Sequence, residues 1–140
     1  MPPADSAQIE EVEDRLGVTL PGDYKDLLMR NNGGYLQGNT LTPGSDYSIR
    51  QLFSAGVVDD PDVEDLESQA TFYHEHADFP IPADLLPIGE DEGGNVICLK
   101  TSEDDNGAIY FWTHDAPADD DGLTRIADSF SQFFERLQPY

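Results

Sequence analysis

The sequence predicts an α+β domain, a mainly antiparallel sheet with an N-terminal helical hairpin, a middle helix and a C-terminal helix packed on it. Three observations carry this reading. Apolar residues recur at helical spacing at both ends of the chain. Its middle holds short apolar runs broken by Gly, Pro and Asn. Helices and strands are segregated rather than alternating as βαβ units. At 140 residues, the whole chain, 1–140, reads as one domain.

The first helix is the clearest element. Asp5 or Ser6 can cap it, and Gln8 stands three residues after Asp5 as a capping box requires. Ile9, Val12 and Leu16 form its apolar stripe, Glu10, Glu11, Glu13 and Asp14 its wet face, and Gly17 its stop. Leu20 and Pro21 open a second helix with the stripe Tyr24, Leu27 and Leu28, ended by Asn31-Asn32-Gly33-Gly34. Short strands are expected at Tyr35-Leu36, Thr40-Leu41 and Tyr47 to Phe53, separated by Gly38-Asn39 and Pro43-Gly44.

Asp60-Pro61 reads as the cap and first turn of the middle helix, with Val63, Leu66, Ala70 and Tyr73 facing a core until about Ala77. Phe79-Pro80-Ile81-Pro82 resists helix and forms a connector. Leu85 to Gly89, Val96 to Lys100 and Ala108 to Thr113 read as central strands of a meander, with Asn106-Gly107 as a turn. A last helix, starting between Thr124 and Ser129, carries Ile126, Phe130, Phe133, Phe134 and Leu137 on one face.

Charge excludes several functions. Asp and Glu number 29 against 7 Lys and Arg, a net charge of −22. That field repels the phosphates of nucleic acids and anionic lipid surfaces, so neither is an expected partner. It attracts basic proteins and speeds their encounter. Solubility, or adaptation to a salty host, explains acid excess equally well, and the scarcity of lysine (Lys25 and Lys100) suits the latter. Aromatic residues make up 10% of the chain, enough to argue for a packed core. No basic, apolar leader opens the chain and no apolar run reaches membrane-spanning length, so a cytoplasmic protein is expected.

Catalytic and metal chemistry finds little support. His74 and His76 are two apart and on a helix would point about 200° from each other, too far to share an ion. Cys98 sits inside Val96-Ile97-Cys98-Leu99, where a thiol acts as a small hydrophobe. His114-Asp115 lacks a nucleophile elbow, and Gly33-Gly34 and Gly93-Gly94 lack the rest of a phosphate loop. No catalytic residue, metal or cofactor is expected. What remains is acid in blocks: Asp59, Asp60, Asp62, Glu64, Asp65 and Glu67; Glu90, Asp91 and Glu92; Glu103, Asp104 and Asp105; Asp119, Asp120 and Asp121.

The order of signals resembles the SUKH superfamily, whose best-known branch is named for a yeast regulator of cell-wall assembly. The resemblance lies in three blocks. The first is Ile9-x-x-Val12-Glu13-x-x-Leu16-Gly17-x-x-Leu20-Pro21-x-Asp23-Tyr24-Lys25-x-Leu27-Leu28 running into Asn32-Gly33-Gly34. Next comes Leu86-Pro87-Ile88-Gly89-x-Asp91-x-Gly93-Gly94-Asn95-x-Ile97-Cys98-Leu99, followed by Gly107-x-Ile109-Tyr110-Phe111-Trp112-x-His114-Asp115. Last is Ile126-Ala127-x-Ser129-Phe130-x-x-Phe133-Phe134. Gly38 to Pro80 matches only loosely.

The resemblance implies helices against an antiparallel sheet and a non-enzymatic role. Bacterial members look like immunity proteins that neutralise toxins, many of them nucleases. Fungal members look like scaffolds in cell-wall signalling. The expected function is therefore capture of a basic toxin domain through an acidic surface. Its partner-binding candidates are Asp59, Asp60, Asp62, Glu64, Asp65, Glu90, Asp91, Glu92, Asp104, Asp105 and Trp112. The alternative is a scaffold domain whose acidity reflects a high-salt host.

Overall fold

The computed structural model describes residues 4–30, 32, 34–40, 48–56, 64–76, 81–91, 95–102, 106–113, 122–136 and 138–139. Helix α1 spans Ser6–Leu16. Asp5 accepts the backbone N–H of Gln8, and the Gln8 side chain accepts that of Asp5, closing the capping box. Gly17 ends the helix at φ 69°, a conformation that favours glycine. Helix α2 spans Gly22–Arg30. The Glu13 carboxylate clasps the turn between them, taking the Leu20 N–H at 2.7 Å and facing Lys25 Nζ at 3.5 Å.

Seven antiparallel strands follow in the spatial order β6-β5-β4-β3-β2-β1-β7. They are β1 Gly34–Thr40, β2 Ser48–Leu52, β3 Leu85–Asp91, β4 Val96–Lys100, β5 Ile109–Trp112, β6 Leu123–Ala127 and β7 Gln138–Pro139. The sheet is thus a sequential meander, closed at one edge by β7 returning to β1. Helix α3, Leu66–Thr71, runs into a π-helical turn at Phe72–His76. Helix α4, Phe130–Arg136, connects β6 to β7.

Three expectations need correction. Tyr35-Leu36 and Thr40-Leu41 are not separate strands around a Gly38-Asn39 turn. They lie on one strand as far as Thr40, with a register shift between Tyr35 and Asn39 where the glycine sits. The middle helix starts later than Asp60-Pro61 suggests. Its cap is Asp65, which accepts the Ser68 N–H, while Glu64 and Asp65 are still extended and bridge to Ser54. Ile126 belongs to strand β6, not to the last helix. The Ser129 hydroxyl takes the Gln132 N–H, so that helix begins only after it. Pro43-Gly44, Asp60-Pro61, Val63, Ala77, Phe79-Pro80 and Leu137 lie outside the described residues.

Strand alternation divides the apolar side chains between two faces. Leu86, Ile88, Ile97, Leu99, Ile109 and Phe111 join Ile9, Val12, Tyr24, Leu28, Leu66, Phe130 and Phe133 of the helices in the main core. Leu85, Val96, Cys98 and Trp112 point the other way and form a smaller cluster with Ile81 and Tyr73. Gly89 is fixed by packing: a Cβ there would lie 2.7 Å from the Gln51 carbonyl oxygen and 2.9 Å from Leu52.

Candidate interaction surface

The distribution of charge follows from how few cations there are. Arg15 pairs with Glu11 and with Glu67 at 3.1 Å, tying α1 to α3. Lys25 faces Glu13, Arg50 faces Glu90 at 3.4 Å, Lys100 meets Asp84 at 2.8 Å and Arg125 meets Asp128 at 3.0 Å. Pairs that solvent reaches in this way contribute little to stability. Their larger effect is on the field. Five of the chain's 7 cations are each spent against a carboxylate, and the net charge stays at −22. Glu10, Glu11 and Asp14 line the exposed side of α1, with Asp26 exposed on α2.

The partner candidates fall into three groups. Glu64 and Glu90 are joined through Gln51, with Asp65 next to Glu64 in the chain. Gln51 Oε1 accepts the Glu64 N–H at 3.0 Å and its Nε2 donates to Glu90 Oε1 at 2.9 Å. Glu64 is exposed, Asp65 is half-buried as the α3 cap, and Glu90 is half-buried beside Arg50. Asp91 and Trp112 are buried instead, at 3% and 8% exposure. Asp91 accepts both the backbone and side-chain N–H groups of Asn95, which orders the β3–β4 hairpin. Asp59, Asp60, Asp62, Glu92, Asp104 and Asp105 lie outside the described residues, as do Glu103, Asp119, Asp120 and Asp121.

Trp112 is the inner end of an aromatic series. Its ring meets Tyr73 edge-on with centroids 6.0 Å apart, and Tyr73 meets Phe72 at 4.9 Å and 84°. Phe72 stands 48% exposed. The π-turn beneath is anchored twice: the Ile81 N–H donates to the Tyr73 carbonyl, and His74 Nε2 lies 2.7 Å from the Leu85 carbonyl oxygen. Partial burial raises the Tyr73 phenol pKa, and the nearby Glu90 charge raises it further. Phe72 has no place in the sequence-predicted apolar stripe Val63, Leu66, Ala70 and Tyr73. A large aromatic off that stripe was the one signal available.

The reactive side chains have structural surroundings. Cys98 is fully buried, and burial pushes its thiol pKa far up, so it stays protonated. His74 is engaged with a main-chain carbonyl, the His76 side chain is not described, and His114-Asp115 lie outside the described residues. Among the described residues, no three of His, Cys, Asp or Glu gather as a metal site requires. A groove of about 200 Å³ between α2 and α4 is lined by Asp23, Leu27, Arg30, Phe130, Ser131 and Phe134. Asp23 there accepts both the N–H and the hydroxyl of Ser131, which ties the two helices together. Among the described residues, no helix is long and apolar enough to cross a membrane.

Comparison with known proteins gives the chain its relatives. The chain is 30% identical to the SPbeta prophage-derived uncharacterized protein YokK of Bacillus subtilis (strain 168), over 90% of this chain and 70% of that one. It is 26% identical to the uncharacterized protein YnaB of the same strain, over 96% of this chain and 76% of the relative. The model of the SMI1 / KNR4 family (SUKH-1) matches residues 3–136. With nearly the whole sequence matched, the chain belongs to the SMI1 / KNR4 (SUKH-1) family.

Proposed function

We propose that this chain is a non-catalytic, immunity-type protein that binds and neutralises a toxin domain with a cationic working face, such as a nuclease. The observation that carries the reading is the charge. A net −22 surrounds a packed α+β core, and five of the chain's 7 cations, Arg15, Lys25, Arg50, Lys100 and Arg125, are engaged with carboxylates. A nuclease must hold phosphates and is therefore cationic where it works. An acidic domain offers such a face complementary charge and rapid, salt-sensitive capture. Membership of a family that includes immunity proteins supports the same role.

Co-expression with the toxin encoded beside the gene tests the reading. Survival of the host and a complex that co-elutes on gel filtration are expected. Continued killing at low salt, with no complex formed, would exclude that pairing. A scaffold role in a salty host is favoured by one observation, the near absence of lysine. Refolding in graded KCl separates the two: stability that rises steeply with salt favours adaptation over partner matching.

A further inference from the structure

Resting on the reading above, we propose that the π-turn at Phe72–His76 is a contact point for the basic partner, with the exposed Phe72 ring receiving an arginine or lysine side chain. An apolar ring at 48% exposure stabilises the fold little, since the adjoining Leu66 and Ala70 already fill the core. Its posture is nevertheless fixed. Tyr73 buttresses Phe72 edge-on, Trp112 buttresses Tyr73, and the turn is held to Ile81 and Leu85. A rigid aromatic side chain loses little conformational freedom when it binds.

Charge selects the occupant. Glu75, three residues on from Phe72 in the same π-turn, is exposed. Glu67 lies near the start of α3 and Glu90 lies close enough to Tyr73 to perturb its phenol. The cations described next to these acids, Arg15 on Glu67 and Arg50 on Glu90, are held in ion pairs. An exposed aromatic ring on a chain of net charge −22 attracts a cation twice, through the ring quadrupole and through the surrounding negative field. A second copy of the chain is disfavoured, because two bodies of −22 repel. The π-helical geometry itself is rare and recurs at functional sites.

The test uses the intact, isotope-labelled chain and an amidated peptide of alternating arginine and glycine as probe. On titration at low salt, the backbone resonances of residues 72–76 and the Trp112 indole should shift most. Phe72→Ala and Phe72→Leu should each weaken binding by about two- to fivefold, the leucine variant keeping apolar area but losing the ring. Both variants should melt with the parent, since the site is exposed. Shifts spread over acidic surfaces elsewhere, or Phe72→Leu binding as well as the parent, would overturn the proposal. Toxin capture that survives Phe72→Ala undiminished would sink this contact and leave the immunity reading standing, whereas loss of capture by the parent chain sinks that reading instead.

Discussion

The two faces of the sheet are built to different standards. On the helix-covered face, 20 described residues form one buried cluster, including Tyr24, Phe53, Phe130 and Phe133. On the other face, the buried cluster is Ile81, Leu85, Val96, Cys98 and Trp112, flanked by half-buried Tyr73, Tyr110 and Leu123. Neighbours along β4 show the contrast directly: Ile97 and Leu99 enter the first cluster, Val96 and Cys98 the second. Folding free energy therefore concentrates on one side. The thinly covered side can carry half-buried acids, hydroxyls and an exposed ring without unfolding the domain.

Truncation on either face puts this to its hardest test. Leu99→Ala, in the main core, should cost about 4 kcal/mol, whereas Leu123→Ala, half-buried on the other face, should cost about 1 kcal/mol. Urea unfolding measures both. Equal losses would erase the distinction.

Alkali probes both faces at once. Cys98 and Tyr24 are fully buried on opposite sides, and burial raises both pKa values above their ordinary 9.0 and 10.0. Each group stays protonated in the folded chain while the unfolded chain releases its proton. Stability is thus whole below pH 9 and falls as pH rises beyond it, by about 1.4 kcal/mol per pH unit for each group past its ordinary pKa. Cys98→Ala should delay the onset by about one unit, to the range where Tyr24 takes over. An unmoved onset would show that the second face contributes nothing to alkaline sensitivity.

The smallest effect sharpens the main core. Among the described residues, the Tyr24 hydroxyl is buried with no hydrogen-bond partner, although its ring packs edge-on against Phe130 at 5.0 Å. Tyr24→Phe removes an unpaired polar atom and keeps the ring. It should stabilise the chain by up to about 1 kcal/mol by calorimetry. A loss of that size would mean that the hydroxyl is bonded.

Legibility in the sequence followed local physics. Helix α1 was readable to within a residue because its cap, stripe and glycine stop are all local. Strands β3, β4 and β5 were readable as apolar runs between turns. Two elements misled for a shared reason: the right residues stood in the wrong place. Asp60-Pro61 carries a helix-start signature, yet the cap is Asp65, whose neighbours are held extended by Ser54 and Gln51. Ile126 falls four residues before Phe130, as a helix would place it, but pairing of β6 with β5 decides its conformation. The candidate surface was legible as charge and not as geometry. Nothing local distinguishes Asp91, turned in toward Asn95, from Glu64, which stands in solvent. That difference is set by tertiary contacts.

The meander also has a kinetic consequence. From β1 to β6, every described pairing joins strands consecutive in the chain, and all but β2–β3, whose connection contains α3, close over a modest loop. The pairing of Asn39 with Pro139 joins residues far apart in the polypeptide and involves only two residues of β7. Zippering along neighbours makes for quick assembly at this size, with the β7 seam joining after the sheet it closes.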